Sequence, residues 1–381
     1  MEHNYFDHNA TTPVDDRVFE AMRPYLRERY GNASSRHELG TVARRAVDLA
    51  REQVAALVGV QPGQVIFVSG GTEANNLFVQ GAAGYLKPTR VVVSAIEHPC
   101  IAKPAQALTR QGWKLRKLAA SRAGEIELDD VDRALQEPTG IVSVMLVNNE
   151  TGVIQDVAAV SARARTAGAW MHTDAVQALG KIPVNFADLG VHAMTLSAHK
   201  IYGPKGAGAL VVDKRLQLRP IIHGGGHEQG LRSGTENVPA IVGFGEACAL
   251  AVERMRDLAP RLVAMRARLE QGLTEAGAVI FGARAPRIPN TTYFALKGIL
   301  GETLVIELDK LGHAVAPGAA CSSANPEPSA TLLAMGVEPE LALGAVRFSL
   351  GAGNTPGQVD DFLQALRSTV SRLRGMTAMA I

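Results

Sequence analysis

Thr195-Leu196-Ser197-Ala198-His199-Lys200 reads as an apolar strand that ends on an amine, and Ile201-Tyr202-Gly203-Pro204-Lys205-Gly206 behind it reads as a turn that cannot continue a helix. Solubility does not account for a lysine held at such a strand end. Upstream, Trp170-Met171-His172-Thr173-Asp174-Ala175-Val176-Gln177 is a second apolar run, and it ends on a carboxylate where a strand would meet a loop. Around these two runs the pattern alternates between short β-branched stretches and helical periodicity. Strands are expected at 65–68, 90–95, 141–147, 170–172, 194–196 and 209–212, with helical stretches between most of them. That order predicts an α/β fold with a mainly parallel, doubly wound sheet covered by helices on both faces.

Further helices are expected at 38–58, with Val42, Ala46, Leu49, Val54 and Leu57 at helical spacing, and at 238–276, where Pro260 predicts a kink. Thr12-Pro13 before Asp15 and Asp16 reads as a helix start with Thr12 as its cap. The long helix leads into a mixture of strands (291–295, 314–316, 345–350) and helices (302–310, 358–374), which predicts a smaller α+β unit. The expected division is a large domain at 14–255 and a small domain built from 1–13 and 256–381.

The chain has 381 residues, enough for two such units, with hydrophobic residues at 46% and charged residues at 20%. Lys+Arg 39 against Asp+Glu 37 gives a formal charge of +2, which provides no general drive toward nucleic acid or an anionic membrane. The start, Met1-Glu2-His3-Asn4-Tyr5-Phe6-Asp7, lacks the character of a signal peptide, and no apolar run is long enough for a bilayer, so a cytoplasmic protein is expected. Cys100, Cys248 and Cys321 are too few and too scattered for a disulfide framework.

An amine and a carboxylate at neighbouring strand ends suit pyridoxal phosphate: the amine forms a Schiff base with the aldehyde, and the carboxylate keeps the pyridine nitrogen protonated as an electron sink. Other strand ends carry matching groups. Ser69-Gly70-Gly71-Thr72-Glu73-Ala74-Asn75-Asn76 opens a helix whose free N–H groups and Thr72 hydroxyl would face an anion. Glu97-His98-Pro99 could lay an imidazole against an aromatic ring, and Asn149 and Gln177 could bind its phenolic oxygen. His172-Thr173-Asp174, or His98 with Cys100, could also be read as metal ligands. Neither has a four-ligand spacing, and no metal is expected.

Tyr5-Phe6-Asp7-His8-Asn9-Ala10-Thr11-Thr12, Gly31-Asn32-Ala33-Ser34-Ser35, Ser69-Gly70-Gly71-Thr72-Glu73, Glu97-His98-Pro99, Val147-Asn148-Asn149-Glu150-Thr151-Gly152, His172-Thr173-Asp174-Ala175-Val176-Gln177, Ser197-Ala198-His199-Lys200 and Arg232-Ser233-Gly234-Thr235-Glu236-Asn237 together resemble the cysteine desulfurases of the NifS/IscS type. The likeness runs in order over nearly the whole chain. It implies the fold-type I architecture of PLP-dependent transferases, with a seven-stranded large-domain sheet. It also implies that Lys200 carries the cofactor, Asp174 pairs with its ring nitrogen, and His98 stacks on the ring and moves protons. Asn149 and Gln177 would bind the ring oxygen, while Gly71, Thr72, Ser197 and His199 would hold the phosphate. Thr235 would reach the phosphate of a neighbouring subunit, so a homodimer is implied.

Cys321 lies in Gly318-Ala319-Ala320-Cys321-Ser322-Ser323-Ala324-Asn325-Pro326, which reads as a surface loop with little packing to justify a thiol. The resemblance makes it the nucleophile that takes sulfur from L-cysteine as a persulfide and passes it to an iron-sulfur scaffold or another acceptor protein. Pro317 and Ala319 depart from the serines common before that cysteine, and Ala33 stands where proline is common. Arg347, alternating with apolar neighbours in Ala345-Val346-Arg347-Phe348-Ser349-Leu350, suits a planar contact with the substrate α-carboxylate, and its other reading is a structural salt bridge. Asn32 and Asn149 are further candidates for that carboxylate. Selenocysteine lyase, another PLP lyase or aminotransferase, and a catalytically silent assembly scaffold are the competing readings.

Overall fold

The computed structural model describes residues 3–318 and 327–379, which leaves Cys321 outside the described residues. Seven strands form the central sheet in the order Val65–Val68, Gly208–Val212, Ala193–Ser197, Trp170–Asp174, Ile141–Ser143, Arg90–Ser94 and Lys114–Leu118. Gly208–Val212 runs antiparallel to both of its neighbours. The pairs on the other side of Ala193–Ser197 are all parallel. Near-continuous burial of Val-rich and Ile-rich strands is what a sheet covered on both faces requires.

Six of these strands were expected. The seventh, Lys114–Leu118, reads Lys-Leu-Arg-Lys-Leu and carries charges because it is an edge strand, where basic side chains block further pairing. The strand expected over 141–147 is regular only at Ile141–Ser143, after which the chain stays buried and turns toward Asn148.

Helix Glu38–Val58 has the expected bounds, but its buried face consists of Gly40, Ala43, Ala46, Val47, Ala50, Val54, Ala55 and Val58. Leu49 lies on the outside, 56% exposed. The small residues are needed because the helix packs closely on Val238–Glu275: a Cβ added at Gly245 would lie 2.6 Å from Ala50 Cα. Helix Val238–Glu275 runs through Pro260 close to the expected bounds, and at 38 residues it extends roughly 57 Å. Its first half buries Phe244, Ala247 and Cys248 against the central sheet, and its second half buries Leu262, Met265, Leu269 and Leu273 in a separate core.

That second core is built on an antiparallel sheet in the order Ala316–Pro317, Ala345–Ser349, Thr291–Leu296 and Ala278–Phe281. Helices Gly301–Lys310 and Pro356–Met379 belong to the same region. The single strand expected at 314–316 divides into two: His313–Ala314 pairs in parallel with Asn4–Tyr5, and Ala316–Pro317 joins the antiparallel sheet. Asn4–Tyr5 and Ala278–Phe281 were not expected as strands. Both are too short or too mixed to show a period.

Asp15, rather than Thr12, caps the first helix, Asp16–Arg27, by accepting the Arg17 N–H. Thr12 is used elsewhere: its hydroxyl donates to His199 O at 3.0 Å and accepts the Tyr202 N–H at 2.8 Å, so it clamps the turn around Lys200. Among the described residues, no helix is long and apolar enough to cross a membrane.

Phe6 is wholly buried and stacks on Phe348 at 4.2 Å, with Phe362 edge-on at 5.8 Å. It anchors the N-terminal segment before that segment enters the central sheet's territory. Phe6→Ala is expected to destabilise the protein by about 3–5 kcal/mol, read as a lowered urea midpoint with the slope unchanged.

Candidate functional site

A cavity of about 360 Å³ lies at the carboxyl ends of the central strands, the place where open α/β sheets collect ligands. It brings together ten of the residues singled out in the sequence: Gly71, Thr72, His98, Asn149, Asp174, Gln177, Ser197, His199, Lys200 and Arg347. Asn9, Ala10, Cys100, Met145 and Val176 complete its wall. Asn32 and Thr235 do not line it; Thr235 is exposed, and Asn32 uses its carboxamide oxygen to accept the Ser34 N–H. Cys321, the remaining candidate, lies outside the described residues.

Lys200 ends a short 3-10 turn, Ala198–Lys200, that follows strand Ala193–Ser197. The chain then reverses through Tyr202, which adopts φ +67, a strained conformation for a residue with a side chain. Thr12 accepts its N–H, its hydroxyl accepts the Ala352 N–H at 2.7 Å, and Arg254 lies over its ring at 4.5 Å. Held this way, the Lys200 amine donates to the carbonyls of Asn9 and Ala10, both at 2.6 Å. Burial, followed by the charge of Arg347, pulls its pKa down to about 8.

Asp174 ends strand Trp170–Asp174 and is buried. One carboxylate oxygen accepts from Asn75 Nδ2 at 2.7 Å, and the other from the Val176 N–H at 2.9 Å. Both partners are neutral, and burial pushes the carboxyl above its ordinary range. A cation brought against it would reverse that shift.

His98 caps helix Pro99–Ala107, and its Nδ1 accepts the Cys100 N–H. A neutral His98 ring therefore carries its proton on Nε2, and burial favours the neutral form against the pull of Asp174. Burial and the Asp174 charge push the Cys100 thiol up to about 12, which keeps it protonated and unreactive.

The opposite end of the cavity is suited to an anion. Helix Gly71–Tyr85 begins there, and its first amides have no acceptor within the helix. A Cβ at Gly71 would lie 3.0 Å from Val176 Cγ2, so a larger residue would press on the cavity wall. Glu73 accepts the Ser69 N–H at 2.8 Å and Arg232 Nε at 2.9 Å, which fixes the loop before the helix. Ser197 Oγ is buried and has no partner among the described residues. Burial, with the charges of Lys200 and Lys205, lowers the His199 imidazole to about 4.

Arg347 reaches the cavity from the small sheet. It donates to Asp7 at 2.7 Å and to Asn149 O at 3.1 Å, while its buried Nε has no partner among the described residues. The salt bridge and the position in the cavity are both present. His172 is embedded instead in the core, with Ser143 and Thr195 hydroxyls 2.9 Å from its two ring nitrogens and its ring stacked on Phe78.

These groups fit pyridoxal phosphate by their chemistry: a buried carboxylate with neutral partners for a ring cation, an amine for an aldehyde, and an unpartnered serine beside a helix N-terminus for a phosphate. Asn9, Asn75 and Lys181 were not singled out for a role in the sequence. Asn9 occurs within the quoted N-terminal motif, but no spacing reveals which strand end it reaches.

A sequence model of the Aminotransferase class-V family matches residues 4–362. The cysteine desulfurase IscS of Pectobacterium atrosepticum is 42% identical over 383 residues, covering 98% of this chain and 94% of the relative. Its namesake from Dictyoglomus turgidum is 39% identical over 376 residues, covering 97% of this chain and 95% of that one. A solved NifS-like protein superposes with a TM-score of 0.92 at 37% identity, covering 97% of this chain and 99% of the other. SspA in complex with cysteine gives 0.81 at 30% identity over 91% of this chain and 98% of its own. The chain belongs to the class-V aminotransferase family.

Proposed function

We propose that this protein is a PLP-dependent cysteine desulfurase that converts L-cysteine to L-alanine and leaves the sulfur as a persulfide on Cys321. The observation that carries this reading is the convergence of Lys200, Asp174 and Arg347 on one cavity, supported by relatives named as cysteine desulfurases. Atoms balance: the C–S bond of cysteine breaks, an S–S bond forms to Cys321, and the thiol hydrogens end on the alanine methyl and the persulfide.

When bound, pyridoxal phosphate supplies an aldehyde for amine exchange and a protonated ring that withdraws electrons from the substrate α-carbon. Gly71, Thr72, Ser197 and His199 hold its phosphate, Asp174 keeps the ring nitrogen protonated, and His98 covers a ring face. Asn149 and Gln177 bind the ring oxygen. Arg347 binds the substrate carboxylate through its guanidinium, with Asn149 as a further contact; Asn32, the other candidate for that carboxylate, lies outside the cavity lining. Lys200, which would carry the cofactor, holds its free amine at the Asn9 and Ala10 carbonyls, a place from which it would take the substrate α-proton. His98 exchanges a proton through Nε2. Cys321 attacks the substrate sulfur.

Residues 14–255 form the cofactor domain in this reading, and 1–13 with 256–381 form the small domain that carries Cys321. Thr235, exposed and away from its own cavity, serves the phosphate site of a second copy, so the working unit is a homodimer. The persulfide passes to an iron-sulfur scaffold or another acceptor protein in the cytoplasm.

Protein incubated with PLP is expected to be yellow, to lose its visible band on borohydride reduction with the label on Lys200, and to release alanine from L-cysteine. A colourless protein that stays inert with added PLP would sink the reading. Cys321→Ala is expected to keep the band and lose the sulfur adduct seen by mass spectrometry; an adduct that persists places the acceptor elsewhere. Arg347→Lys keeps the charge but loses the planar fork, and should raise KM for L-cysteine on the order of tenfold while the cofactor band is unchanged. Because Lys200 acts as a base only when neutral, alanine release should rise with pH through about 8 and level off above it, as a pH-rate profile at saturating cysteine would record.

A further inference from the structure

Lys181 is a lysine for which the reaction has no use. Gly180, at φ +68, turns the chain beneath Ile201, whose Cγ2 would lie 2.8 Å from an added Cβ, and this delivers Lys181 behind the cavity wall. Burial, then the charges of Lys200 and Arg347, pulls its amine well below the usual lysine range, and no carboxylate among the described residues offsets them. Such a group is costly to bury, so its contacts matter. It donates to Gln177 Oε1 at 2.7 Å and to Asn9 Oδ1 at 2.9 Å.

The first of these bonds sets the direction of the Gln177 amide. With its oxygen held by Lys181, Gln177 turns its NH₂ group the other way and spends one hydrogen on Asn9 O at 2.9 Å. The second hydrogen remains on a side chain that lines the cavity. Asn9, whose Oδ1 also accepts Asn290 Nδ2 at 3.2 Å, turns its NH₂ to Thr291 Oγ1 at 2.9 Å and Asn149 O at 3.2 Å, and its main-chain carbonyl accepts Lys200 Nζ. Carbonyl oxygens accept only, so neither amide can reverse without losing a bond on both sides.

We propose that Lys181 is a positioning residue: it orients Gln177 so that an N–H faces an acceptor oxygen of the cavity's ligand. The proposal rests on the cofactor reading above, in which that acceptor is the phenolic oxygen of PLP. Removing Lys181 strands the Gln177 oxygen without a donor, and the amide rotates to find one.

The test is a visible-absorbance pH titration of the PLP-loaded protein without cysteine, on the parent, Lys181→Met, Gln177→Ala and the double variant. Loss of one N–H donated to a charged oxygen is expected to shift the titration by about tenfold in proton affinity, equally in both single variants. The double variant should shift no further, because both changes remove one bond. Lys181→Gln, which keeps an N–H donor, should titrate within about threefold of the parent, and it carries the test if Lys181→Met fails to fold. A visible band with Lys181→Met unshifted, shifts that add in the double variant, or a Lys181→Gln shift as large as that of Gln177→Ala would overturn the role of Lys181 alone. A parent protein that forms no band with PLP would instead remove the cofactor reading, and this proposal with it.

Discussion

The main-chain carbonyl of Asn9 is the point on which the site converges, since it accepts hydrogen bonds from both Lys200 Nζ and Gln177 Nε2. It can do so only because the N-terminal segment is fixed at several places. Phe6 is locked into the small core, Asp7 pairs with Arg347, and Thr12 clamps the turn after Lys200. One short stretch of chain therefore registers the small sheet against the carboxyl ends of the central strands. The groups expected to meet the cofactor come largely from one unit and Arg347 from the other, so their spacing depends on this strap.

Electrostatics gives the cavity its bias. Lys200, Lys181 and Arg347 are brought close together in a poorly hydrated place, and burial lowers the pKa of both lysine amines. Asp7 answers Arg347 directly, whereas Asp174 is left with neutral hydrogen-bond donors. Lys200, Lys181 and Asp174 are held away from their ordinary pKa values, because burial penalises an ionised form that lacks a close partner of opposite charge. An anionic ligand at the helix end and a cationic ring nitrogen at Asp174 relieve both penalties together.

Much of the architecture was legible from local pattern. The strand end at Asp174, the helix 38–58 and the parallel strands of the central sheet follow from periodicity and burial, whereas the strand expected to run to Lys200 ends at Ser197 and a 3-10 turn carries the lysine. The edge strand Lys114–Leu118 was not legible, because its charges serve its exposed position and erase the apolar signal. Leu49 looked like a core residue, yet the close approach of Ala50 to Gly245 rotates the buried face toward alanines. Thr12 looked like a cap and is instead a clamp, a role visible only when His199 and Tyr202 are beside it.

By itself, the sequence determined which chemical groups stand at strand ends, since β-branched runs, glycine turns and the residues that follow them are local properties of the chain. It therefore identified Lys200, Asp174, His98, Gln177 and Arg347 as candidates without measuring a distance between them. Tertiary structure alone decided that Asn9 and Lys181 share a network with Gln177, and that Arg347 divides its donors between Asp7 and the Asn149 carbonyl. Those relations join residues up to 340 positions apart. They are set by how two cores pack about one helix and one N-terminal strap, and no pattern in a neighbouring stretch of sequence reports that packing.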